Sequence, residues 1–456
     1  MSALVRIITV LGLLCACFAR PAGGRSGPDA GKPTPDRYVL IRCGTLLAVP
    51  GRAPVKNVTL VVKNGVIEGT APGFDGPDLN AARAAGAKVE EVDVREWFVL
   101  PGLIDCHVHL THEVNPDSRL RAVEESDADS AIRSVANARR TLEAGFTTVR
   151  DLGGSGEAII ALRDGVQRGD VAGPRILCAG KAVSITGGHA DPTLGYREGL
   201  LPVPGVEEGI ADGPDRCAQA VRYQVKRGVD CIKLTATGGV LSASTAGLAQ
   251  HFTDAELAAI VSTAHTLGRK AAAHAHGTNG INAALRAGVD SIEHGTYLDD
   301  ESVRLFREKG AYLVPTLLAG KTVMENAADP GYYLPMVARK AAEVGPRIRA
   351  AFRKAHEGGV KIAFGTDSGV SPHGQNAREF ALMVDGGMTP SEAIIAATVS
   401  AADLLGLADR IGTLERGKAA DVIAVRGDPL ADVTELERVL FVMRDGTVYK
   451  PARGAR

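Results

Sequence analysis

The sequence predicts an α/β architecture: a (β/α)8 TIM barrel joined to a small β-sandwich domain built from both chain ends. Three observations carry that expectation. Over residues 101–405, eight short apolar runs alternate with amphipathic helical stretches. Residues 37–100 and 406–450 show β patterns instead. Glycine reaches 54 of 456 residues, which suits a chain with many tight strand–helix turns.

The first residues read as an address. Arg6 precedes an apolar run over 7–18. At about 1.5 Å per residue such a helix is only about 18 Å long, short of a bilayer core. Cleavage near Ala19 or Ala22 makes 1–22 a signal peptide, with export to the periplasm or beyond. Leu14-Cys15-Ala16-Cys17 also resembles a lipoprotein cleavage box, which offers a lipid anchor at Cys17 as the alternative. Residues 23–36 bury no apolar area and form a flexible linker.

The mature part begins with YVLIRCGTLLAV, NVTLVVKNGVIEGT and AKVEEVDVREWFVL, read as strands, with a hairpin turn at Asn64-Gly65. Barrel strands are expected at Leu103–His109, Thr147–Arg150, Arg175–Ala179, Cys231–Leu234, Ala271–His274, Ser291–Glu293, Tyr312–Pro315 and Ile362–Gly365. Helices such as Ser130–Ala144, Arg216–Arg227, Asp254–Leu267 and Ala342–His356 lie between them. The tail returns to β in AADVIAVRG and VLFVMRDGTVYK, with a second turn at Asp445-Gly446. Two connections are long: 180–211 after strand 3 and 316–340 after strand 7. Insertions at that face of a barrel usually shape an active site.

Composition excludes several function classes. With 52 Lys+Arg against 53 Asp+Glu the net charge is −1, unlike a broad electrostatic nucleic-acid binder. Beyond the leader no run approaches the ~18 apolar residues of a membrane span. Five cysteines follow the leader, widely spaced and mostly in strand-like runs. They read as small buried hydrophobes rather than a disulfide framework.

The chemistry-bearing residues fall at strand C-termini. His107 and His109 are two apart on strand 1, so both imidazoles share a face while Cys106 and Val108 turn to the helices. Lys233 sits in apolar company, Cys231-Ile232-Lys233-Leu234. His274 ends strand 5, His294 follows strand 6 and Asp367 follows strand 8. Imidazole and carboxylate suit a borderline divalent ion such as zinc. A lone buried lysine is costly as a cation. Neutral, it can react with carbon dioxide to form a carbamate, an anionic bridge able to hold two metals. His189, beside Gly187-Gly188 in the loop after strand 3, is the candidate for substrate binding. His276 is the candidate for orienting the site from behind the ligands. Arg150 is read as an ion-pair partner of Asp151 and not as catalytic. Singly, each residue has an ordinary structural reading; jointly they meet at one end of one barrel.

Pro101-Gly102-Leu103-Ile104-Asp105-Cys106-His107-Val108-His109 resembles the strand-1 signature of the amidohydrolase superfamily. Lys233, His274, His294 in Glu293-His294-Gly295, and Asp367 in Gly365-Thr366-Asp367 match its remaining ligands in order. The resemblance covers nearly all of 37–450. Thr147-Thr148-Val149-Arg150-Asp151-Leu152-Gly153-Gly154, Thr186-Gly187-Gly188-His189 and Ala273-His274-Ala275-His276-Gly277 look most like the imidazolonepropionase-like branch, with its bacterial prolidase-type and Xaa-Arg(Lys) dipeptidases and a mycotoxin amidase.

The resemblance implies two divalent ions, with zinc as the expected metal. His107, His109 and Asp367 would hold the first, His274 and His294 the second, and carboxylated Lys233 would bridge them. It further implies a homo-oligomer and cleavage of an amide bond in dipeptides or N-acyl amino acids. A metal-bridging hydroxide would attack the carbonyl, with Asp367 as proton shuttle to the leaving amine. The rival reading is hydrolysis of cyclic amides, lactones, carbamates or esters on the same machinery. A non-catalytic scaffold would show degenerate ligands, and none is degenerate here.

Overall fold

A computed structural model describes residues 35–243 and 247–452. The expected leader, the Cys17 anchor and nearly all of the 23–36 linker lie outside the described residues. The chain opens with β1 (Arg37–Leu46), β2 (Val55–Lys63), β3 (Val66–Pro72) and β4 (Lys88–Pro101). Eight parallel strands follow: β5 (Leu103–Val108), β6 (Phe146–Asp151), β7 (Arg175–Cys178), β8 (Cys231–Thr235), β9 (Lys270–Ala275), β10 (Ser291–His294), β11 (Tyr312–Val314) and β12 (Lys361–Ile362). The tail supplies β13 (Val422–Val425), β14 (Phe441–Arg444) and β15 (Thr447–Lys450).

The eight parallel strands pair in chain order, as β5-β6-β7 and as β8 through β12. Two seams join the groups. Val183 N–H donates to Lys233 O at 2.8 Å, and Thr235 N–H donates to Val183 O at 3.0 Å. Cys106 N–H donates to Phe364 O at 2.9 Å, and Asp367 N–H donates to His107 O at 2.7 Å. The last strand thus returns to the first, an α/β arrangement consistent with the expected barrel. The seams matter for chemistry, because Lys233, His107 and Asp367 all sit on them. Helices with buried apolar stripes cover the strands, as in Pro214–Lys226 and Asp254–Thr266.

The terminal strands form one hydrogen-bonded sheet, in the order β15-β14-β13-β4-β1-β2-β3, rather than two separately paired sheets. That sheet curls so that its ends meet: a Cβ on Gly65 would stand 2.7 Å from the carbonyl oxygen of Asp445. Val39, Ile41, Leu60, Trp97, Phe441 and Met443 are buried together inside the curl. Both expected hairpins are present. Asn64 and Gly65 have φ of 50° and 84°, and Asp445 and Gly446 have 47° and 73°. Positive φ at both central residues is the geometry of a tight turn whose twist matches its strands.

Two expectations are revised by the fold. β12 is shorter than the run Ile362–Gly365, because Phe364 N–H leaves the ladder and donates to Ala396 O. The insertion at 316–340 is mostly helical: Leu317–Ala327, then Pro335–Glu357, which absorbs the expected Ala342–His356. Proline at the first helical position has no N–H to lose and starts the second of these. Cys43, Cys106, Cys178, Cys217 and Cys231 are all buried and none is bridged.

Candidate active site

The predicted site residues converge. The donor atoms of His107, His109 and Asp367 lie within 4.8 Å of one another, and so do those of His274, His276 and His294. Lys233 Nζ stands 3.3 Å from His107 Nε2. The His107 and His294 rings, one from each cluster, are 5.2 Å apart. Strand register explains the convergence. Lys233 is level with Ala272 on β9, and Glu293 with His274, so the inward faces of β8, β9 and β10 point together.

Four of the imidazoles are aimed by a partner on Nδ1, whereas His274 places its Nε2 3.3 Å from Gly238 O. His107 Nδ1 meets Glu293 Oε2 at 2.9 Å, His109 Nδ1 meets Gly153 O at 2.6 Å, His294 Nδ1 meets Thr316 Oγ1 at 2.7 Å, and His276 Nδ1 meets Thr296 Oγ1 at 2.8 Å. Their Nε2 atoms are therefore the ones left for the centre. Glu293 is itself held by Arg150, whose Nη2 donates to Oε1 at 3.0 Å. Arg150 is therefore not the partner of Asp151. Asp151 instead accepts the N–H groups of Leu110 and Gly153 at 2.7 and 3.1 Å.

Backbone strain gathers at the same place. Asp367, His294 and Thr316 have φ of 58°, 71° and 50°, a region unfavourable for side chains of these shapes. Such outliers persist where the surroundings over-determine them, commonly at functional sites. Glu379 fixes one of them from below. Its buried carboxyl group accepts Leu317 N–H at 2.8 Å and Leu318 N–H at 2.6 Å, seating the helix that follows Thr316.

The electrostatics suit cation ligands. Burial pushes His107, His274 and His294 well below the ordinary imidazole value, helped by neighbouring cationic groups. Neutral imidazole is the state that coordinates metal. Burial also lowers Lys233, to about 8. At Asp367, burial pulls upward but the adjacent His107 and His109 outweigh it, leaving the carboxyl at about 2. Its Oδ1 lies 3.1 Å from His109 Nε2 and 3.5 Å from His107 Nε2, yet makes no hydrogen bond. Two imidazole nitrogens and a carboxylate oxygen sharing a focus without bonding each other fit a common divalent ion.

The clusters form the floor of a cavity of about 420 Å³, lined also by His189 and the helices after β11. His189 stacks on His274 at 4.2 Å between rings, and its buried Nδ1 has no protein partner. Gly239 presses on it: a Cβ there would come within 2.2 Å of the His189 ring. Lys340 holds that loop in place by donating to Gly239 O at 2.8 Å and Ser242 O at 2.6 Å. His276 is more central than expected. It joins His274 and His294 as a potential donor instead of standing wholly behind them. Glu293, Thr316 and Glu379 were not anticipated. Only Glu293 carried a signal, as the neighbour of His294 in the quoted motif.

A sequence profile described as "Amidohydrolase family" matches residues 98–449. The chain belongs to the amidohydrolase family. As a member it is a hydrolase of the C–N bond class. A crystal structure of a Xaa-Pro dipeptidase with methionine bound in the active site is 42% identical, covers 91% of this chain and 100% of its own, and has a TM-score of 0.85. A prolidase complexed with N-methylphosphonate-L-proline is 31% identical over 91% of this chain and 100% of its own, with a TM-score of 0.81. The ochratoxinase of Aspergillus niger is 33% identical over 432 residues, 91% of this chain and 87% of its own.

This amidohydrolase should lose stability in acid once chelated. Burial takes His112 and His189 to about 3 and His276 and His373 to about 4, against an unfolded value of 6.5. Below 6.5 the unfolded chain binds protons that the folded chain refuses. Stability therefore falls as pH drops from 6.5 toward 4, at up to about 1.4 kcal/mol per pH unit for each such histidine. Urea midpoints in the presence of a chelator at pH 7 and pH 5 measure it; equal midpoints would contradict the lowered values of these four histidines.

Proposed function

We propose that this amidohydrolase cleaves an amide bond in dipeptides or N-acylated amino acids, with two divalent ions at the paired clusters. The observation that carries the reading is the pair of three-donor clusters beside Lys233 on the floor of one cavity. His107, His109 and Asp367 would hold one ion. His274 and His294, with His276 within reach, would hold the other, and carboxylated Lys233 would bridge them. Ions bound there supply Lewis acidity to the scissile carbonyl and lower the pKa of a water.

The chain's own groups do the rest. Asp367 accepts the proton of the attacking water and returns it to the departing nitrogen. His189 offers a ring N–H toward the substrate from beside His274. Glu293, Thr316 and the Gly153 carbonyl hold the imidazoles on aim, so that little reorganisation accompanies the reaction. The similarity to a Xaa-Pro dipeptidase, a prolidase and ochratoxinase supports amide substrates over lactones. The same proposal includes a closed eight-stranded barrel, export through the 1–22 leader and self-association.

Metal analysis and a substrate panel test it. The expected result is about two ions per chain, activity lost to a chelator and restored by zinc, and turnover of Xaa-Pro, Xaa-Arg or N-acyl amino acids. Exclusive turnover of lactones, esters or cyclic imides would transfer the site to the rival chemistry.

A further inference from the structure

The cavity has two unlike sides. After β11, the seventh strand of the ring, the helices Leu317–Ala327 and Pro335–Glu357 present Val323, Val344 and Ile348 to it. Val240 and Leu241, from the loop after β8, and Val370, after β12, extend this wall. It contains no charged side chain among the lining residues. Lys181, which follows β7, lines the cavity from a connection four strands before β11 in chain order. Its stem crosses Gly156, where a Cβ would stand 3.1 Å from Lys181 Cγ. That glycine starts the helix Gly156–Arg168, whose first-turn N–H groups add partial positive charge. The Lys181 amine has no ion-pair partner among the described residues. Glu208 lines the same side, but its carboxylate is engaged by Gly205 N–H at 3.0 Å. The remaining lining carboxylate, Asp367, belongs to the metal cluster.

We propose that the preferred substrate is an N-acylated amino acid with a bulky apolar acyl group. The acyl group lies against the valine-rich wall, and Lys181 receives the carboxylate of the departing amino acid. This rests on the amide-hydrolase reading above and narrows it. The alternative, an unblocked dipeptide in the same orientation, would place its ammonium against apolar side chains with no anion to meet it, which is unfavourable. Water adds to the acyl carbon and the C–N bond breaks. The products are the carboxylic acid and the free amino acid, whose nitrogen takes the proton held at Asp367. No other reactant is needed.

Kinetics of the zinc-loaded enzyme test this with acetyl-, butanoyl-, hexanoyl- and benzoyl-leucine, the dipeptide Phe-Leu, and hexanoyl-leucinamide. We expect kcat/KM to rise about fourfold per added methylene up to the size of the wall. Phe-Leu should trail the acyl substrates by at least about tenfold. Hexanoyl-leucine should exceed its carboxamide by about tenfold through KM. Lys181→Met should collapse that carboxylate preference, with kcat for hexanoyl-leucine little changed, and Lys181→Arg should restore it. Val344→Phe should reverse the chain-length trend. If Phe-Leu matches or beats the acyl series, or Lys181→Met keeps the carboxylate preference, the narrowing is wrong while amide hydrolysis stands. If the zinc-loaded enzyme cleaves none of these amides but turns over Xaa-Pro or Xaa-Arg dipeptides, the narrowing fails and amide hydrolysis stands; if it cleaves no dipeptide or N-acyl amino acid at all, the parent reading fails with it.

Discussion

Asp367→Asn should lower amide turnover by about 10²–10⁴-fold, the usual range for losing a positioned acid–base group. An asparagine keeps the size and the left-handed backbone of this residue, φ 58° in the wild type, which asparagine tolerates well. It cannot take a proton from water and deliver it to an amine. The buried carboxyl sits at about 2, so the wild-type group is ionised and ready to accept across the neutral range. The loss should fall mainly on kcat, and the first ion should bind less tightly because a neutral amide oxygen replaces an anionic one. Parallel kcat and metal-content measurements separate the two effects. Full turnover with a normal ion count would remove Asp367 from the mechanism.

Lys233→Ala is expected to be as severe. Lys233 is 4% exposed, and burial has already brought its amine to about 8 from 10.5. About a tenth of it is then neutral at pH 7, far more than for an ordinary lysine, and only the neutral amine can capture carbon dioxide. Under the proposed bridging role, removing it would delete the link between the clusters, so the ion count should fall from about two toward one. Turnover should fall by at least about 100-fold, since even outer partners of metal sites cost 10- to 100-fold. Added formate or acetate should restore part of the activity by standing in for the missing anion. Rescue identifies a bridging charge. A variant that keeps both ions without rescue would show that the lysine is packing.

Much of this site was legible in the sequence for a physical reason. Ligands on strands are spaced by strand periodicity and lie at run ends, so His107, His109, Lys233, His274, His294 and Asp367 announce themselves by position. Supporting groups carry no such mark. Thr316 acts through one backbone turn and one hydroxyl, and Glu379 caps a helix 61 residues earlier in sequence. The pairing of Arg150 with Glu293, 143 residues away, competes with an adjacent aspartate that sequence alone favours. His276 was legible as a residue but not as a donor, because its distance from His294 depends on how β9 ends. The helices after β11 were hidden by the run Asp329-Pro330-Gly331, which reads as loop and is the break between them.

The curled terminal sheet ties synthesis order to folding order. Leu100 pairs with Ile423, and Val66 bridges to Ala419, so strands made first stay incomplete until the last segment has emerged. Closing so long a loop in an unfolded chain is slow. Assembly of the intervening α/β region first would remove that delay by bringing the two ends side by side. Loss of the C-terminal strands would leave a working centre flanked by unpaired edges prone to aggregation.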